Sequence, residues 1–366
     1  MKVAVFSTRS YDMEYLDKAN IENNHELVYF ESSLKQKTTP LAENFDAVCV
    51  FVNDALTKEV IESLANLKVK LIVLRCAGFN NVDIASACNT NIKVLRVAAY
   101  SPTTVAEHAV ALILTLNRKT HKAYNRVREG NFSIERLIGF ELSGKTVGVV
   151  GTGRIGSVFA IIMKGFGCKV IAFDSFPNNA LKDTGVSYYS LDEVFKMSDI
   201  ISLHCPLTPE TNQLINKDSL SLMKKGVMLI NTSRGKLIDT DAAIEALKEG
   251  RLGYLGIDVY EQEEKLFYKD LSEIVILDDK ISRLMTFPNV LITAHQAYFT
   301  DIALTQIAQT TIQNLSDFEN GVINPQNQVC INMVKSVSYT HLRAHETDSY
   351  LVCRLLLEKK HCMGES

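Results

Sequence analysis

The feature that most constrains this chain is a glycine-rich turn between two apolar runs near its middle. Residues 147–150 read as a short buried strand, residues 154–166 as a helix, and residues 169–173 as a second strand that ends at Asp174. The glycines at the G-x-G-x-x-G spacing between the first strand and the helix are Gly151, Gly153 and Gly156. The pattern predicts a strand, helix and strand that form one parallel unit.

This unit predicts a binding site for NAD. In such units the first glycine permits the tight turn, the second lets the backbone approach a pyrophosphate, and the third allows close packing of helix and strand. The helix N-terminus offers free amides and the positive end of its dipole to the phosphates. Asp174 can accept hydrogen bonds from both ribose hydroxyls and would repel a 2′-phosphate, and residues 175–177 contain no Arg. The sequence therefore favours NAD over NADP.

The bulk composition limits the class of protein. With 366 residues the chain exceeds the usual size of a single core, so two domains are expected. A formal net charge of −3, with 46% hydrophobic and 22% charged residues, favours neither nucleic acid nor anionic membrane as a partner. The eight cysteines show no C-x-x-C pair and no metal-ligand spacing with His. We therefore expect reduced thiols, no metal, a cytoplasmic location, and small molecules and further copies of the chain as partners.

Apolar runs alternate with helical or loop segments on both sides of the glycine turn. Before the turn, the strand candidates are residues 2–6, 26–30, 47–52, 71–74 and 93–97. After it, further candidates are residues 200–203, 227–231, 256–260 and 290–293. The alternation predicts two parallel-sheet α/β domains, which bind ligands at the carboxyl ends of their strands.

A long apolar helix is predicted from about residue 103 to residue 117, with Ser101 as its cap. It is apolar nearly all round, so we expect it to be buried between domains or against a second subunit. His108 lies on this helix. A lone His in such a place is more often a structural residue with satisfied hydrogen bonds than a catalyst.

Three ionisable residues follow separate strands of the nucleotide-binding region: Arg234, Glu263 and His295. A doubly wound sheet can bring these strand ends to one cleft. An Arg fork grips an α-keto carboxylate in a bidentate manner and polarises the adjacent carbonyl. His295 can give a proton to that oxygen while a hydride arrives at carbon, and Glu263 beside it would stabilise the charged imidazole. The three residues together predict a 2-keto acid reductase.

The chain resembles the D-isomer-specific 2-hydroxyacid dehydrogenases, and among them the fermentative D-lactate dehydrogenases. The resemblance spans residues 1–331. The stretches that carry it are residues 75–83, 149–155, 201–209, 231–235, 256–263 and 295–300. Glu263 argues against the formate dehydrogenases of the same superfamily, which are expected to have Gln in that place.

The resemblance implies a Rossmann NAD-binding domain, residues 101–296, inserted in a flavodoxin-like substrate domain built from residues 1–100 and 297–335. Closure of the two domains would exclude water from the active site before hydride transfer. The implied NAD contacts are Gly151, Gly153, Arg154, Ile155, Gly156, Asp174, Cys205, Pro206, Thr232, Ser233 and Asp258. The implied substrate contacts are Cys76, Ala77, Gly78, Tyr100, Tyr298 and Phe299, with the amides of Ala77 and Gly78 holding the carboxylate.

The implied reaction is the reversible reduction of pyruvate by NADH to give D-lactate. The aromatic pair Tyr298 and Phe299 favours pyruvate, but a larger 2-keto acid such as hydroxypyruvate, phenylpyruvate or 2-ketoisocaproate is an alternative. A rival of another class is an NAD-sensing binding protein on the same fold, as in transcriptional co-repressors. The apolar helix and the resemblance also imply a homo-oligomer, either dimer or tetramer.

The last part of the chain differs in composition from the rest. Residues 336–366 continue past the expected end of the family's chain and resemble translated adaptor sequence. His341 and His345 have helical spacing, but they lack an acidic or Cys partner that would make a metal site. We therefore expect this segment to be a non-native tail.

Overall fold

The computed structural model describes residues 1–330, which form two compact units. Of the described residues, the first unit takes Met1–Tyr100 and residues 304–330, and the second takes Ser101–Ala303. The substrate and NAD-binding roles expected for the segments 1–100, 101–296 and 297–335 stay predictions. The tail at residues 336–366, which includes His341 and His345, lies outside the described residues.

The first unit contains a five-stranded parallel sheet with the strand order β2-β1-β3-β4-β5. Its strands are β1 (Lys2–Val5), β2 (Glu26–Tyr29), β3 (Ala47–Val50), β4 (Leu71–Leu74) and β5 (Lys93–Arg96). Its helices in the first hundred residues are α1 (Ser10–Asn20), α2 (Lys58–Asn66) and α3 (Ile84–Asn89). This is the flavodoxin-like order, so the expected fold of this unit is confirmed.

The second unit contains a seven-stranded parallel sheet with the order β12-β11-β10-β9-β6-β7-β8. Its strands are β6 (Thr146–Val150), β7 (Lys169–Phe173), β8 (Ser187–Tyr188), β9 (Ile200–Leu203), β10 (Val227–Asn231), β11 (Leu252–Ile257) and β12 (Val290–Ile292). Its helices are α4 (Pro102–Arg118), α5 (Thr120–Arg128), α6 (Arg154–Gly165), α7 (Asn179–Asp183), α8 (Leu191–Met197), α9 (Lys217–Leu222), α10 (Thr240–Lys248) and α11 (Asp279–Thr286). From β8 to β11 the order is that of the Rossmann fold, which confirms the prediction.

The last helix, α12 (Asp301–Glu319), packs on the sheet of the first unit. Ala308, Ile312 and Leu315 are buried there beside side chains of β1, β3 and β4. The helix spans 19 residues. The C-terminal part of the described chain thereby completes the core that the first hundred residues begin.

The strand expected at residues 256–260 lies earlier in the chain, at Leu252–Ile257. The expectation was wrong because Gly253, near the start of the strand, resembles a turn residue. Gly253 and Gly256 instead allow close packing. A Cβ on Gly253 would lie 2.4 Å from the carbonyl oxygen of Gly226, and one on Gly256 would lie 2.8 Å from a methyl carbon of Ile230.

Helix α4 is buried within the second unit. Its apolar residues, including Ala109, Ile113 and Leu116, belong to the same core as Val149 and Phe159. Packing within the second unit therefore accounts for most of the apolar face of α4, and burial between domains or against a second subunit is not needed to explain it. The helix ends at Lys119, which has a left-handed φ of 52°, and the polar helix α5 follows without any buried residue.

Candidate active site

The glycine turn has the geometry that a pyrophosphate site requires. Gly151 has a φ of +93°, and a Cβ there would lie 2.7 Å from the backbone nitrogen of Cys205. A Cβ on Gly156 would lie 2.0 Å from the carbonyl oxygen of Gly151, so only glycine permits this approach of α6 to the turn. A Cβ on Gly153 would meet nothing within 4 Å. The space above Gly153, at the start of α6, is where a phosphate would approach the amides of Arg154 and Ile155.

Asp174 lies at the end of β7 and is bound to the glycine turn. Its Oδ2 accepts hydrogen bonds from the backbone nitrogen of Thr152 at 2.5 Å and from the Thr152 hydroxyl at 3.0 Å, and its Oδ1 accepts one from Phe176 N at 2.8 Å. A carboxylate has about four acceptor sites, so Asp174 can still accept a ribose hydroxyl. The same group therefore shapes the turn and remains available to a nucleotide.

The loops after β9 and β10 are joined beside the turn. The Ser233 hydroxyl donates to the carbonyl oxygen of Cys205 at 2.6 Å. Thr232 Oγ1 is buried and has no hydrogen-bond partner within residues 1–330. A buried hydroxyl without a partner is costly unless a ligand satisfies it. This orphan hydroxyl, the open space at Gly153 and the carboxylate of Asp174 fit the NAD that the sequence predicts.

His204, between Cys205 and β9, is a partly buried, neutral imidazole. Burial lowers the pKa of His204 to about 3, and its Nε2 lies 2.9 Å from the Ser202 hydroxyl. Its ring packs against Phe159 of α6, with 4.8 Å between ring centroids. Burial also raises the pKa of the Cys205 thiol to about 11. These two residues therefore add no charge to the floor of the nucleotide site.

Glu263 and His295 are in direct contact. Glu263 Oε1 lies 2.9 Å from His295 Nδ1, and Glu263 Oε2 accepts a hydrogen bond from the backbone nitrogen of Tyr260 at 3.0 Å. An ionised carboxylate can only accept, so Nδ1 carries the hydrogen and Nε2 is the ring nitrogen available to a substrate. Both side chains are partly buried, at 17% and 19% exposure.

His295 is held in an unusual backbone conformation. Its φ is +52°, in the left-handed region that non-glycine residues rarely adopt. Its backbone nitrogen donates to the carbonyl oxygen of Asp258 at 2.7 Å, and the Tyr268 hydroxyl donates to the carbonyl oxygen of His295 at 3.0 Å. Tyr268 was not anticipated from the sequence, because nothing in its local pattern marks a residue that contacts a loop further along the chain.

Arg234 follows β10, in a loop held by Asn231. Asn231 Nδ2 donates to the carbonyl oxygen of Arg234 at 2.9 Å, and Arg234 Nη1 donates to the carbonyl oxygen of Ser233 at 2.7 Å. Within residues 1–330, no hydrogen bond or ion pair joins Arg234 to Glu263 or His295. The structure thus brings the acid and the imidazole together and leaves the guanidinium without a contact to that pair.

Asp258 is fully buried at the end of β11, and its carboxylate is occupied by protein groups. Oδ1 accepts hydrogen bonds from the Thr293 hydroxyl at 2.5 Å and Gln296 N at 2.9 Å, and Oδ2 accepts one from Ala297 N at 2.9 Å. Burial alone would raise the pKa of Asp258, but hydrogen bonds from His108 and Thr293 and the charge of His295 lower it overall. The contact between Asp258 and NAD stays a prediction.

The residues expected to hold the substrate carboxylate lie in the first unit, after β4. No hydrogen bond among the described residues uses the backbone N–H of Ala77 or Gly78. Arg96 Nη1 donates to the carbonyl oxygen of Ala77 at 2.7 Å, and the Cys76 thiol donates to that of Gly78 at 3.3 Å. Two adjacent free amides suit an anion. Arg96, which the sequence did not single out, holds the loop that presents them.

Tyr298 and Phe299 lie just beyond His295 in the second unit. Tyr298 is buried, whereas Phe299 is 46% exposed, and their rings meet edge to face with 6.0 Å between centroids. Phe299 also borders a cavity of about 310 Å³ between α4 and the segment after His295. Of the two residues, Phe299 is therefore the more exposed.

The described residues show no sign of a metal site or a membrane span. Residues 1–330 contain no group of three or more His, Cys, Asp or Glu side chains that could hold a metal ion. None of their helices is long and apolar enough to cross a membrane. The six cysteines in this range are free thiols.

Comparison with known proteins identifies the family. Residues 110–297 match the NAD-binding domain of the D-isomer specific 2-hydroxyacid dehydrogenases. The D-lactate dehydrogenase of Escherichia coli is 52% identical over 329 residues, which cover 90% of this chain and 100% of that protein.

Two solved structures share the fold along nearly the whole chain. The pyruvate reductase of Chlamydomonas reinhardtii is 46% identical, with a TM-score of 0.83 over 88% of this chain and 97% of that one. The D-lactate dehydrogenase of Aquifex aeolicus, solved in complex with NAD and lactic acid, is 38% identical, with a TM-score of 0.78 over 87% of this chain and 96% of that one. This chain therefore belongs to the D-isomer-specific 2-hydroxyacid dehydrogenases, a family of NAD-dependent oxidoreductases.

Proposed function

We propose that this protein is a D-lactate dehydrogenase that reduces pyruvate with NADH and catalyses the reverse reaction. The observation that carries the proposal is the hydrogen-bonded pair of Glu263 and His295, whose Nε2 is left for a substrate. The names of the relatives, D-lactate dehydrogenase and pyruvate reductase, support the choice of pyruvate among the 2-keto acids.

NADH would be held by the glycine turn and the strand ends around it. The amides of Arg154 and Ile155 would bind the pyrophosphate, Asp174 the ribose hydroxyls, and the Thr232 hydroxyl a polar group of the cofactor. When bound, NADH supplies the hydride that reduces the keto carbon. His204 and Cys205 are both uncharged, so binding of NADH relies on the helix terminus and directed hydrogen bonds.

Side chains and backbone amides of the protein would bind the substrate carboxylate and transfer the proton. Arg234 would grip the substrate carboxylate and polarise the keto carbonyl, and the free amides of Ala77 and Gly78 would share the carboxylate's charge. His295 would give its Nε2 proton to the keto oxygen as hydride reaches the carbon, and would take a proton back in the reverse direction. Glu263 would stabilise the imidazolium that donates this proton.

The substrate alternative is a larger 2-keto acid. Phe299 is the exposed member of the aromatic pair beside His295, so it is our candidate for the residue that limits substrate size. A buried Tyr298 behind it would hold Phe299 in place. With both rings present the pocket favours the methyl group of pyruvate over a branched side chain.

We also propose that the protein is a homo-oligomer and works in the cytoplasm. The segment after α5 exposes large apolar side chains, among them Phe132 at 75%, Ile134 at 83% and Ile138 at 83%. Contiguous exposed apolar side chains commonly mark an interface. The free thiols of the described residues suit a reducing compartment.

The proposal is tested by mixing the purified protein with NADH and a panel of 2-keto acids, following the loss of NADH absorbance, and determining the chirality of the product. We expect pyruvate to be the best substrate and D-lactate the product. Faster turnover of hydroxypyruvate, phenylpyruvate or 2-ketoisocaproate would favour the substrate alternative. Tight NADH binding without turnover of any member would favour an NAD-sensing binding protein.

A further inference from the structure

The segment that carries His295 is attached to one face of helix α4 at both of its ends. Thr104 Oγ1 lies 3.0 Å from Thr300 Oγ1, and His108 Nε2 lies 3.1 Å from Thr293 Oγ1. Thr104 and His108 are four residues apart, so they occupy the same face of the helix one turn from each other. The helix therefore contacts the segment on both sides of His295.

Asp258 holds the middle of the same segment. Its carboxylate accepts the Thr293 hydroxyl before His295 and the amides of Gln296 and Ala297 after it, while its own carbonyl oxygen accepts the amide of His295. These four hydrogen bonds surround the one residue of the segment with a positive φ. A left-handed His persists only where its surroundings determine its backbone, as they do here.

The direction of the hydrogen bonds can be assigned from the chemistry of the groups. The Thr293 hydroxyl has one hydrogen, which it donates to the Asp258 carboxylate at 2.5 Å. Thr293 must therefore accept from His108, whose Nε2 carries the hydrogen and also lies 3.4 Å from Asp258 Oδ1. The result is a directed chain from His108 through Thr293 to Asp258. His108 fixes the Thr293 hydroxyl in the orientation that Asp258 requires.

From this geometry we infer that His108 is a positioning residue for catalysis, acting through Thr293 and Asp258 on the orientation of the His295 imidazole. It has no contact with the substrate in this role. The inference rests on the proposed function, since it assumes that His295 exchanges the proton. It also gives His108 a specific task beyond the structural role that its place on an apolar helix suggests.

Four variants test whether His108 positions His295 through Thr293 and Asp258. They are Thr293→Val, Thr293→Ser, His108→Phe, and Thr293→Val combined with His108→Phe. Valine keeps the shape of threonine and removes the hydroxyl, whereas serine keeps the hydroxyl. Thr311→Val is the control for the exchange of a threonine for valine, because the hydroxyl of buried Thr311 has no partner within residues 1–330. For each protein we would measure kcat and KM for pyruvate, the Kd for NADH by fluorescence, and the Tm.

We expect Thr293→Val to lower kcat about tenfold, because a small misplacement of a reacting group is costly, while KM and the NADH Kd stay within about twofold. Thr293→Ser should restore most of kcat, and Thr311→Val should leave it unchanged. His108→Phe should lower kcat by a smaller factor. The double variant should lose less kcat than the product of the two single losses, because His108 and Thr293 act on the same Asp258 carboxylate.

If the loss of kcat in the double variant equalled the product of the two single losses, the inference would be overturned, because His108 would then act independently of Thr293. An NADH Kd that rises in step with the loss of kcat would overturn it too, by assigning these residues to the cofactor. If the wild type turned over no 2-keto acid, the proposed function would fail, and the positioning role would be tested by NMR instead. The imidazole proton resonance of His295 is assigned by its loss in His295→Gln. This resonance should shift in Thr293→Val and His108→Phe, and an unchanged resonance would refute the positioning role.

Discussion

At the scale of single residues, the site depends on how the chain presents one imidazole. His295 combines a φ of +52° with an Nδ1 that faces Glu263. A left-handed backbone at a residue other than glycine costs on the order of 1 kcal/mol, which the hydrogen bonds to Asp258 and Tyr268 offset. Because Nδ1 contacts Glu263, Nε2 is the ring nitrogen left for a substrate.

Changing Glu263 to Gln should slow catalysis while leaving the cofactor site intact. The amide can still occupy the place of the carboxylate, but it carries no charge to stabilise a protonated imidazole. We expect kcat for pyruvate to fall on the order of a hundredfold with an unchanged Kd for NADH. The neighbouring exposed acid supplies the control, Glu264→Gln, which should keep wild-type kcat. Equal kcat values for the two variants would remove Glu263 from the mechanism.

Replacing Phe299 with Ala should broaden the substrate range. Phe299 is 46% exposed, so its removal costs little core packing, and in the proposed pocket it would open space for the side chain of the keto acid. We expect the ratio of kcat/KM for 2-ketoisocaproate to that for pyruvate to rise about tenfold, as one to three kcal/mol of pocket contact allows. Phe166→Ala, at a ring with 39% exposure on another surface, should leave the ratio unchanged. A constant ratio in Phe299→Ala would take this ring out of the specificity argument.

His204 should make the protein less stable in mild acid. Burial holds the pKa of His204 at about 3, below the ordinary value of 6.5, so the unfolded chain binds the extra proton between these two values. Stability therefore falls as the pH drops from 6.5 towards 3, by about 2 kcal/mol at pH 5 from this residue, or roughly 4–8 °C in Tm. In His204→Gln, which cannot titrate, the fall in Tm between neutral pH and pH 5 should be smaller by that amount. An identical fall in both proteins would contradict the neutral state of this imidazole.

The sequence indicated candidate ionisable residues at strand ends more readily than the described residues that hold their loops. Arg234, Glu263 and His295 were predicted because their chemical types follow strand ends, where ligands bind. Arg96 and Tyr268 were missed because they act through backbone carbonyls distant in sequence. The local sequence pattern carries no signal for such a contact.

At the scale of elements, two glycines of helix α6 should respond oppositely to alanine. A Cβ on Gly156 would lie 2.0 Å from a backbone oxygen, whereas one on Gly165 would meet nothing within 4 Å. Gly156→Ala should therefore lower Tm by several degrees and weaken NADH binding, because the helix must move away from the turn. Gly165→Ala should raise stability by about 0.5 kcal/mol and leave NADH binding unchanged. Thermal unfolding and NADH titration of both variants check this, and equal effects would refute the close approach.

The strands were predicted where the chain has a plain apolar run, as at β4, β7, β9 and β10. Such runs are buried on both faces of a parallel sheet, so their pattern is unambiguous. The start of β11 and the whole of the two-residue strand β8 were missed. Glycines that serve close packing resemble turns, and a very short edge strand has too few residues to show a pattern.

At the scale of the whole molecule, the exposed apolar segment after α5 should control assembly. Ile134 and Ile138 are each 83% exposed, which is unfavourable unless another surface covers them. We expect the wild type to have a multiple of its 40.8 kDa chain mass by light scattering, and the double variant Ile134→Lys with Ile138→Lys to shift towards the single-chain mass. Ile21→Lys, at an isolated residue of 73% exposure, is the control and should assemble normally. A wild type with the mass of one chain would contradict the proposed homo-oligomer.

The central claim is that His295 exchanges the proton in an NADH-dependent reduction of pyruvate. Its most direct test compares kcat for pyruvate in the wild type and His295→Gln, with the Kd for NADH measured on the same samples. We expect kcat to fall by about 10²–10⁴-fold while the Kd for NADH stays unchanged, because the imidazole acts on the substrate oxygen and leaves cofactor binding to the glycine turn. A variant that kept its turnover would show that another group moves the proton and would contradict the account.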